Sequence, residues 1–149
     1  MLNAQSERVL HYSQEALFDL AASIDRYPEF LPGWIRARIY ERGADFSLAE
    51  QTVGFGPVQM QFRSRAALKR PQRIEVTSDD SQFRRFRILW TFEPDRAGLI
   101  RVALGVELDL RSRLLQMGVD RLGAATATEA LSAFEQQARR RLEPASQRP

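Results

Sequence analysis

The sequence of 149 residues contains no cysteine, a single histidine and a single lysine, and it has no long run of apolar residues. The lack of cysteine excludes a disulfide framework within the chain. A metal site would depend on His11 and carboxylates, none of which shows ligand spacing. No apolar run approaches the ~18 residues of a membrane-spanning helix. We therefore expect no metal, no cofactor and no integral membrane segment.

The charge pattern is the next constraint on function. The net charge is only +3, yet the sequence pI is about 9.9, because all but one of the 22 basic residues are arginine. These arginines are spread along the chain, which is more typical of a solvated surface than of a nucleic-acid groove. We expect no specific DNA binding, while RNA, the ribosome or anionic lipid remain open as partners. The N-terminus, MLNAQSERVLHY, carries charges where a signal peptide needs an apolar segment, which predicts a cytoplasmic protein.

The periodicity predicts one α+β domain over residues 1–143, followed by a disordered tail over residues 144–149. The predicted order is a strand over residues 5–12, a short helix over residues 14–22, a second short helical turn near Pro28, and six strands in hairpin succession between residues 34 and 111. The clearest alternation has one apolar face, formed by Ile100, Val102, Leu104, Val106, Leu108 and Leu110. Such a meander of about seven strands needs a cover, so we expect a curved antiparallel sheet around the C-terminal helix.

The C-terminal stretch from Arg113 to Leu142 is predicted to form one long helix that ends before Pro144. Large apolar residues such as Leu131 and Phe134 recur at helical spacing in its second half. Its first half contains Gly118, Gly123 and a run of small residues. Those small residues favour either close packing on the sheet or a lid over a cavity.

The sequence offers no convincing catalytic group. His11 has no serine partner in the pattern, and no pair of carboxylates falls at an apolar position. Glu107 and Asp109 alternate with the apolar residues of their strand, which predicts a solvent-facing charge ladder with Arg101 and Arg111. The sequence therefore favours a binding protein over an enzyme.

Gln51 is the informative polar residue, because it shares a face with residues that suit an interior. A buried amide needs partners, which are either the backbone and a buried water or a ligand carbonyl. Five aromatic residues lie on the predicted inner face of the sheet: Trp34, Phe55, Phe62, Trp90 and Phe92. They form the core if the helix fills the concave side of the sheet, and they line a binding site if it does not.

The order and spacing of several short motifs resemble a known family. These motifs are Tyr12-Ser13 with Leu17-Phe18-Asp19-Leu20, Tyr27-Pro28-Glu29-Phe30-Leu31-Pro32, Val53-Gly54-Phe55, Phe62-Arg63-Ser64-Arg65, Trp90-Thr91-Phe92-Glu93-Pro94 and Leu110-Arg111-Ser112-Arg113-Leu114-Leu115. Together they resemble the coenzyme Q-binding START-domain proteins of the polyketide cyclase-like superfamily of helix-grip folds, which includes ribosome-association toxins. The chain departs from them at Gly33-Trp34, where members often have a cysteine, and at Gln51, where they have an aliphatic residue.

The resemblance implies a curved sheet that grips the C-terminal helix around an apolar tunnel. It further implies a non-enzymatic protein that binds and transfers ubiquinone or a similar polyprenyl lipid in support of respiratory electron transport. Two alternatives stay open: a ribosome-associated factor that blocks subunit association, and a cyclase-like enzyme acting on a hydrophobic substrate.

We expect the ligand to lie between the sheet and the first half of the helix, with its ring near Trp34, Gln51 and Trp90. The predicted ligand-binding residues are Phe30, Leu31, Trp34, Gln51, Phe55, Phe62, Trp90, Phe92, Leu108, Leu114, Met117, Ala124 and Ala127. A basic and apolar edge is expected to contact a membrane surface, placing the protein peripherally at the inner membrane. This edge consists of Arg111, Arg113, Arg121, Leu114, Leu115 and Met117.

Overall fold

The computed structural model describes residues 1–55, 57–123 and 125–145, without the side chains of Phe55 and Val58. The strands are β1 (Leu2–Leu10), β2 (Trp34–Arg42), β3 (Phe46–Phe55), β4 (Val58–Lys69), β5 (Arg73–Thr77), β6 (Phe83–Pro94) and β7 (Ile100–Leu110). The α-helices are α1 (Gln14–Ala22), α2 (Arg113–Asp120) and α3 (Ala125–Arg141), and a 3-10 helix spans Ile24–Glu29.

The seven strands form one antiparallel sheet in the order β1-β7-β6-β5-β4-β3-β2. Period-2 alternation places one face of each strand inside, and in β7 the residues from Ile100 to Leu110 alternate as predicted. β1 starts at Leu2, earlier than expected, because it pairs with β7 from Leu2 opposite Leu108 to Leu10 opposite Ile100. The α+β class, the curved sheet and the helix-grip architecture are confirmed.

The two short helices follow β1 as predicted. Ser13 caps α1, since its hydroxyl oxygen accepts a hydrogen bond from the backbone N–H of Ala16 at 3.1 Å. The 3-10 helix begins at Ile24 and contains Pro28 near its end, where the sequence predicted a short helical turn. Tyr27 of this helix is buried, and its hydroxyl donates to the backbone oxygen of Ala21 at 2.6 Å. This hydrogen bond joins the 3-10 helix to the end of α1.

The prediction of one helix from Arg113 to Leu142 is wrong, because the helix is interrupted between α2 and α3. The backbone N–H groups of Leu122 and Gly123 turn back to the carbonyls of Val119 and Asp120, which ends α2. Gly123 then adopts a φ of 65°, a left-handed conformation that costs glycine little. Its carbonyl accepts from the backbone N–H and the hydroxyl of Thr126, which starts α3 in a new direction.

The second half of α3 closes one part of the interior. Leu131 and Phe134 are fully buried, and the ring of Phe134 lies 4.9 Å from that of Trp90. Trp90 in turn stacks on Phe92 at 6.2 Å, and Phe92 contacts Phe18 of α1 edge-on. This aromatic stack fills the space between sheet and helices, so the interior has no room there for a ligand.

The outer face of the sheet carries a ladder of ion pairs, although its partners differ from those predicted. Glu107 pairs with Arg85 of β6 at 2.8 Å, and Arg87 pairs with Glu75. Arg101, expected beside Glu107, instead pairs with Asp95 at 3.4 Å. Neighbouring strands supply these partners, because residues two apart on one strand lie farther apart than residues facing each other across the sheet.

Candidate functional site

An apolar cavity of about 230 Å3 lies between the inner face of the sheet and the start of α3. The residues that line it come from six strands, the loop before β2, the segment between α2 and α3, and α3 itself: Leu2, Pro32, Gly33, Trp34, Val53, Gly54, Met60, Phe62, Phe83, Phe86, Ile88, Val106, Glu107, Leu108, Leu122, Thr126, Glu129 and Ala130. Trp90, Phe92 and Phe134 are not among these residues, so the cavity lies beside their aromatic stack and not within it.

Three phenylalanines form the floor of the cavity. The ring of Phe62 lies 4.8 Å from that of Phe86 and 5.3 Å from that of Phe83, and Phe83 lies 5.0 Å from Phe86. β5 pairs with β4 only between Arg65 and Lys69, so these three rings lie beyond the end of β5. Aromatic side chains fill the gap that the short strand leaves, and they present ring faces and edges to the cavity.

The mouth of the cavity lies where exposed residues meet the break between α2 and α3. Pro32, Gly33, Leu122 and Glu129 are exposed there, and Leu122 has 45% of its surface free. Gly33 has a φ of 86°, and its carbonyl accepts from the backbone N–H of Gly54 at 2.8 Å. This bond holds the loop before β2 against β3, which gives the mouth one fixed side.

A buried hydrogen-bond network crosses the sheet behind Trp34. The indole Nε1–H of Trp34 donates to Gln51 Oε1 at 2.7 Å, and Gln51 Nε2–H donates to Ser64 Oγ at 2.7 Å. Gln51 is only 1% exposed, and it does not line the cavity. The partners of the Gln51 amide are thus two side chains, rather than the backbone, water or ligand that the sequence suggested.

The structure brings together only part of the predicted ligand-binding set. Trp34, Phe62 and Leu108 line the cavity. The predicted residues that are buried away from it are Leu31, Gln51, Trp90, Phe92 and Ala127. Phe30 is half-buried against Tyr27 and Phe134, while Leu114 and Met117 lie on the surface of α2. The side chain of Phe55 and the whole of Ala124 lie outside the described residues. Ligand contact by any of these residues stays a prediction.

Several lining residues were not among those predicted. Phe86 and Ile88 belong to an inner face that the alternation identified, and Phe83 lies on the same strand before that alternation begins. Thr126, Glu129 and Ala130 form the wall on α3 because the break turns this segment towards the cavity. The interruption between α2 and α3 sets their positions. The sequence predicts these contacts only if Gly123 is assigned as the residue that ends a helix.

The titratable groups at the cavity do not form an acid–base pair. The carboxylate of Glu107 is held by Arg85 on the outer face of the sheet, and that of Glu129 is exposed at the mouth. Burial raises the pKa of Tyr27 far above its ordinary value, and the neighbouring indole of Trp90 offsets only part of this rise. Tyr27 therefore stays a neutral phenol, and it does not line the cavity. In the described parts of the chain, no group of His, Cys, Asp or Glu side chains is placed to hold a metal ion.

Helix α2 presents an apolar surface to solvent beside the mouth. Val119 is fully buried and anchors the helix, whereas Leu114 is 78% exposed and Met117 is 58% exposed. Arg113 and Arg121 are exposed at the two ends of the helix. None of the helices in the described residues combines the length and apolar character that crossing a bilayer requires.

Comparisons with known proteins find relatives in sequence and a similar fold. The chain is 28% identical to the ribosome association toxin RatA of Pseudomonas aeruginosa, over 91% of this chain and 94% of the toxin. It is 29% identical to the mitochondrial coenzyme Q-binding protein coq10 of Schizosaccharomyces pombe, over 91% of this chain and 85% of that protein. The crystal structure of the Zhui aromatase/cyclase from Streptomyces sp. R1128 superimposes with a TM-score of 0.77 at 14% identity, covering 93% of this chain and 94% of that one.

The match to a protein family spans most of the domain. Residues 10–135 match the family described as polyketide cyclase/dehydrase and lipid transport, a range that runs from the end of β1 into the second half of α3. It includes almost every residue that lines the cavity. The chain therefore belongs to the polyketide cyclase/dehydrase and lipid transport family, with the START-like helix-grip fold.

Proposed function

We propose that this protein binds and transfers a polyprenyl quinone, or a similar apolar lipid, in support of respiratory electron transport. The observation that carries the proposal is the apolar cavity of about 230 Å3 at one end of an interior that is otherwise densely packed. Unfilled apolar volume destabilises a fold by ~24 cal/mol per Å3, so a cavity retained in such a small domain suggests use. The similarity to a coenzyme Q-binding protein over nearly the whole chain supports a quinone as the occupant.

We propose binding without chemical turnover. General acid–base catalysis requires a titratable group within reach of the substrate, usually with a pKa shifted by its surroundings. Two carboxylates belong to residues that line the cavity. The carboxylate of Glu107 forms an ion pair with Arg85 on the outer face of the sheet, and the carboxylate of Glu129 is exposed to solvent. The likeness to an aromatase/cyclase, at 14% identity, concerns the fold alone.

Extraction of the protein purified from its native host tests this proposal. Organic solvent should release a polyprenyl quinone in a near-stoichiometric amount, identified by mass spectrometry. The same protein made in a quinone-deficient host should arrive empty and take up added short-tailed ubiquinone. Protein from the native host that carries no lipid, and that fails to take up added quinone, would contradict the proposal.

We further propose that α2 contacts the membrane when the ligand is loaded or released. A polyprenyl chain is too insoluble to cross water, so the mouth must meet the bilayer. Exposed Leu114 and Met117 suit the acyl boundary, and Arg113 and Arg121 suit anionic headgroups. Together with Leu122 at the mouth, they form a surface from which a ligand reaches the cavity directly.

Liposome co-sedimentation tests the contact. The double variant Arg113→Gln, Arg121→Gln should bind anionic vesicles roughly 30-fold more weakly, since each basic residue near such a surface contributes about 1 kcal/mol. The double variant Arg96→Gln, Arg140→Gln removes the same charge from exposed positions on other elements and serves as the control. Equal binding by both double variants, or equal binding of the parent protein to neutral and anionic vesicles, would refute the electrostatic contribution.

Ribosome association is the second candidate function, favoured by 28% identity to RatA over 91% of the chain. Arginine supplies nearly all of the positive charge, which suits phosphate recognition. Sucrose-gradient sedimentation with purified subunits separates the two candidates. A protein that follows one subunit at physiological salt, and that lowers the fraction of joined ribosomes, supports this second function.

A further inference from the structure

We propose that the ligand enters the cavity with its hydrocarbon end first, leaving its polar head at the mouth beside Thr126 and Glu129. This inference rests on the proposed function and reverses the orientation expected from the sequence, in which the ring lies near Trp34, Gln51 and Trp90. It makes the cavity a site for the end of a prenyl chain, selective for neutral heads.

The described residues that line the cavity leave no side-chain hydrogen-bond donor free for a ligand. Among the described residues that line the cavity, only Trp34 and Thr126 carry side-chain donors. The indole N–H of Trp34 is used by Gln51 at 2.7 Å, and the hydroxyl of Thr126 donates to the carbonyl of Gly123 at 2.8 Å. A quinone oxygen placed inside would lose its water without gaining a side-chain donor, which is unfavourable for a polar group.

The hydrogen-bond network of Trp34, Gln51 and Ser64 keeps the indole N–H of Trp34 occupied. Gln51 is 1% exposed, its amide N–H is bonded to Ser64, and both strands that carry the pair are fixed by the sheet. Release of the indole N–H would leave the Gln51 oxygen buried without a partner. The indole therefore contributes its ring face, not its donor, to the cavity.

The walls of the cavity are apolar, and its volume is small. Beyond the mouth the lining is carbon, supplied by Phe62, Phe83, Phe86, Ile88 and Leu108. A volume of 230 Å3 equals that of about eight water molecules at ~30 Å3 each. At ~30 Å3 per carbon-sized group, that space holds about one isoprene unit and part of a second. The apolar, donor-free walls rather than the size disfavour the quinone ring, and the remainder of a long ligand lies outside the cavity, at the mouth or along α2.

The mouth of the cavity carries a carboxylate. Glu129 is exposed on α3 beside the opening, and the carboxylate of Glu107 is already paired with Arg85 on the outer face. A neutral quinone or prenol head can sit beside Glu129, whereas the carboxylate of a fatty acid would be repelled. The site is thus expected to prefer neutral prenyl lipids over fatty acids of equal length.

Fragment competition tests the orientation. Purified protein is loaded with a ubiquinone of two isoprene units, and displacement is followed through quenching of tryptophan fluorescence by the quinone. Farnesol, which has a prenyl chain and a neutral head, should displace it. The tail-less ring, 2,3-dimethoxy-5-methyl-1,4-benzoquinone, should bind at least about 100-fold more weakly, because it cannot bury several methylene groups. Farnesoic acid should compete less well than farnesol, and Glu129→Gln should narrow that difference.

A second measurement reports directly on the position of the ring. Dithionite should reduce the ring of the bound quinone about as fast as that of quinone in detergent, because the ring lies at the mouth. A ring that is protected tenfold or more, or a tail-less ring that binds as well as farnesol, would overturn the proposed orientation while leaving quinone binding intact. If neither the loaded quinone nor farnesol binds at all, the proposed function itself fails.

Discussion

Two alanines on α3 separate the open part of the interior from the closed part, and leucine at each should give opposite results. Ala130 lines the cavity and is half-buried, whereas Ala127, nearly one helical turn earlier, is fully buried away from it. The sequence predicted Ala124 and Ala127 as the small residues beside the ligand. Ala124 lies outside the described residues and Ala127 is tightly packed, so Ala130 becomes the position at which to fill the space.

Ala130→Leu adds three carbon atoms, which take up roughly 90 Å3 at about 30 Å3 per group. That is more than a third of the 230 Å3 of the cavity. The added carbons find apolar space, and burying them is worth up to about 2 kcal/mol at ~0.8 kcal/mol each. The variant should therefore be as stable as the parent protein or more stable, and it should retain at least tenfold less quinone. Ala127→Leu, in contrast, must displace packed neighbours, which costs about 1–3 kcal/mol.

Two assays on the same preparations give the answer: urea unfolding for stability, and the ratio of extracted quinone to protein for retention. The paired design separates loss of ligand from loss of fold, because the two variants carry the same substitution on one helix. If Ala130→Leu retains quinone normally, the cavity is not the binding site. If Ala130→Leu is instead the destabilised variant and Ala127→Leu is the stable one, the assignment of open and closed parts of the interior is wrong.

Three further substitutions test the packing around the cavity, each by urea unfolding. Leu131→Ala should lower the free energy of unfolding by about 2–5 kcal/mol, and a smaller loss would mean that this part of the interior is not closed. Gln51→Leu should lower the free energy of unfolding by about 1–3 kcal/mol, because it leaves Trp34 Nε1 and Ser64 Oγ without their buried partner. Unchanged stability would mean that these hydrogen bonds do not stabilise the fold. Gly33→Ala should cost about 1–2 kcal/mol, since its φ of 86° strains a residue with a Cβ, and a neutral result would show that the loop relaxes freely.

The sheet could be predicted from the sequence because its signal is local. Each strand of the meander shows period-2 alternation over enough residues to define its faces, and β7 from Ile100 to Leu110 matches its predicted range. α1 was equally predictable, because Ser13 is a strong N-cap and the apolar spacing after it is helical. Family motifs then placed these elements in the helix-grip order.

The interruption after α2 was harder to predict, because a glycine in a helical pattern can lie either inside a helix or at its C-terminus. An interior glycine costs ~1 kcal/mol and is tolerated, as Gly118 is within α2, while a glycine at a C-terminus adopts positive φ. Gly123 is of the second kind. The neighbouring residues Leu122 and Thr126 do not show from sequence which of the two positions Gly123 takes, because packing of α3 on the sheet determines it.

The network of Trp34, Gln51 and Ser64 depends on cross-strand register, which no single segment encodes. Trp34 lies opposite Val53 and Gln51 opposite Phe62, so the three polar groups meet only after β2, β3 and β4 are aligned. A β-bulge in β2 just after Trp34 shifts that alignment further. Sequence reasoning recognised Gln51 as a buried amide, but it could not name the partners.

The cavity arises where two independent features leave the same region uncovered. β5 ends before it can separate Phe62 of β4 from Phe86 of β6, and the break at Gly123 withdraws helical cover at that end of the sheet. At the other end, Leu131 and Phe134 seal the interior. The unfilled space and the aromatic packing around Trp90 are therefore formed by different residues of the interior. Such a division fits the proposed exchange of an apolar ligand, because the ligand can leave the cavity while Trp90, Phe92 and Phe134 keep their contacts.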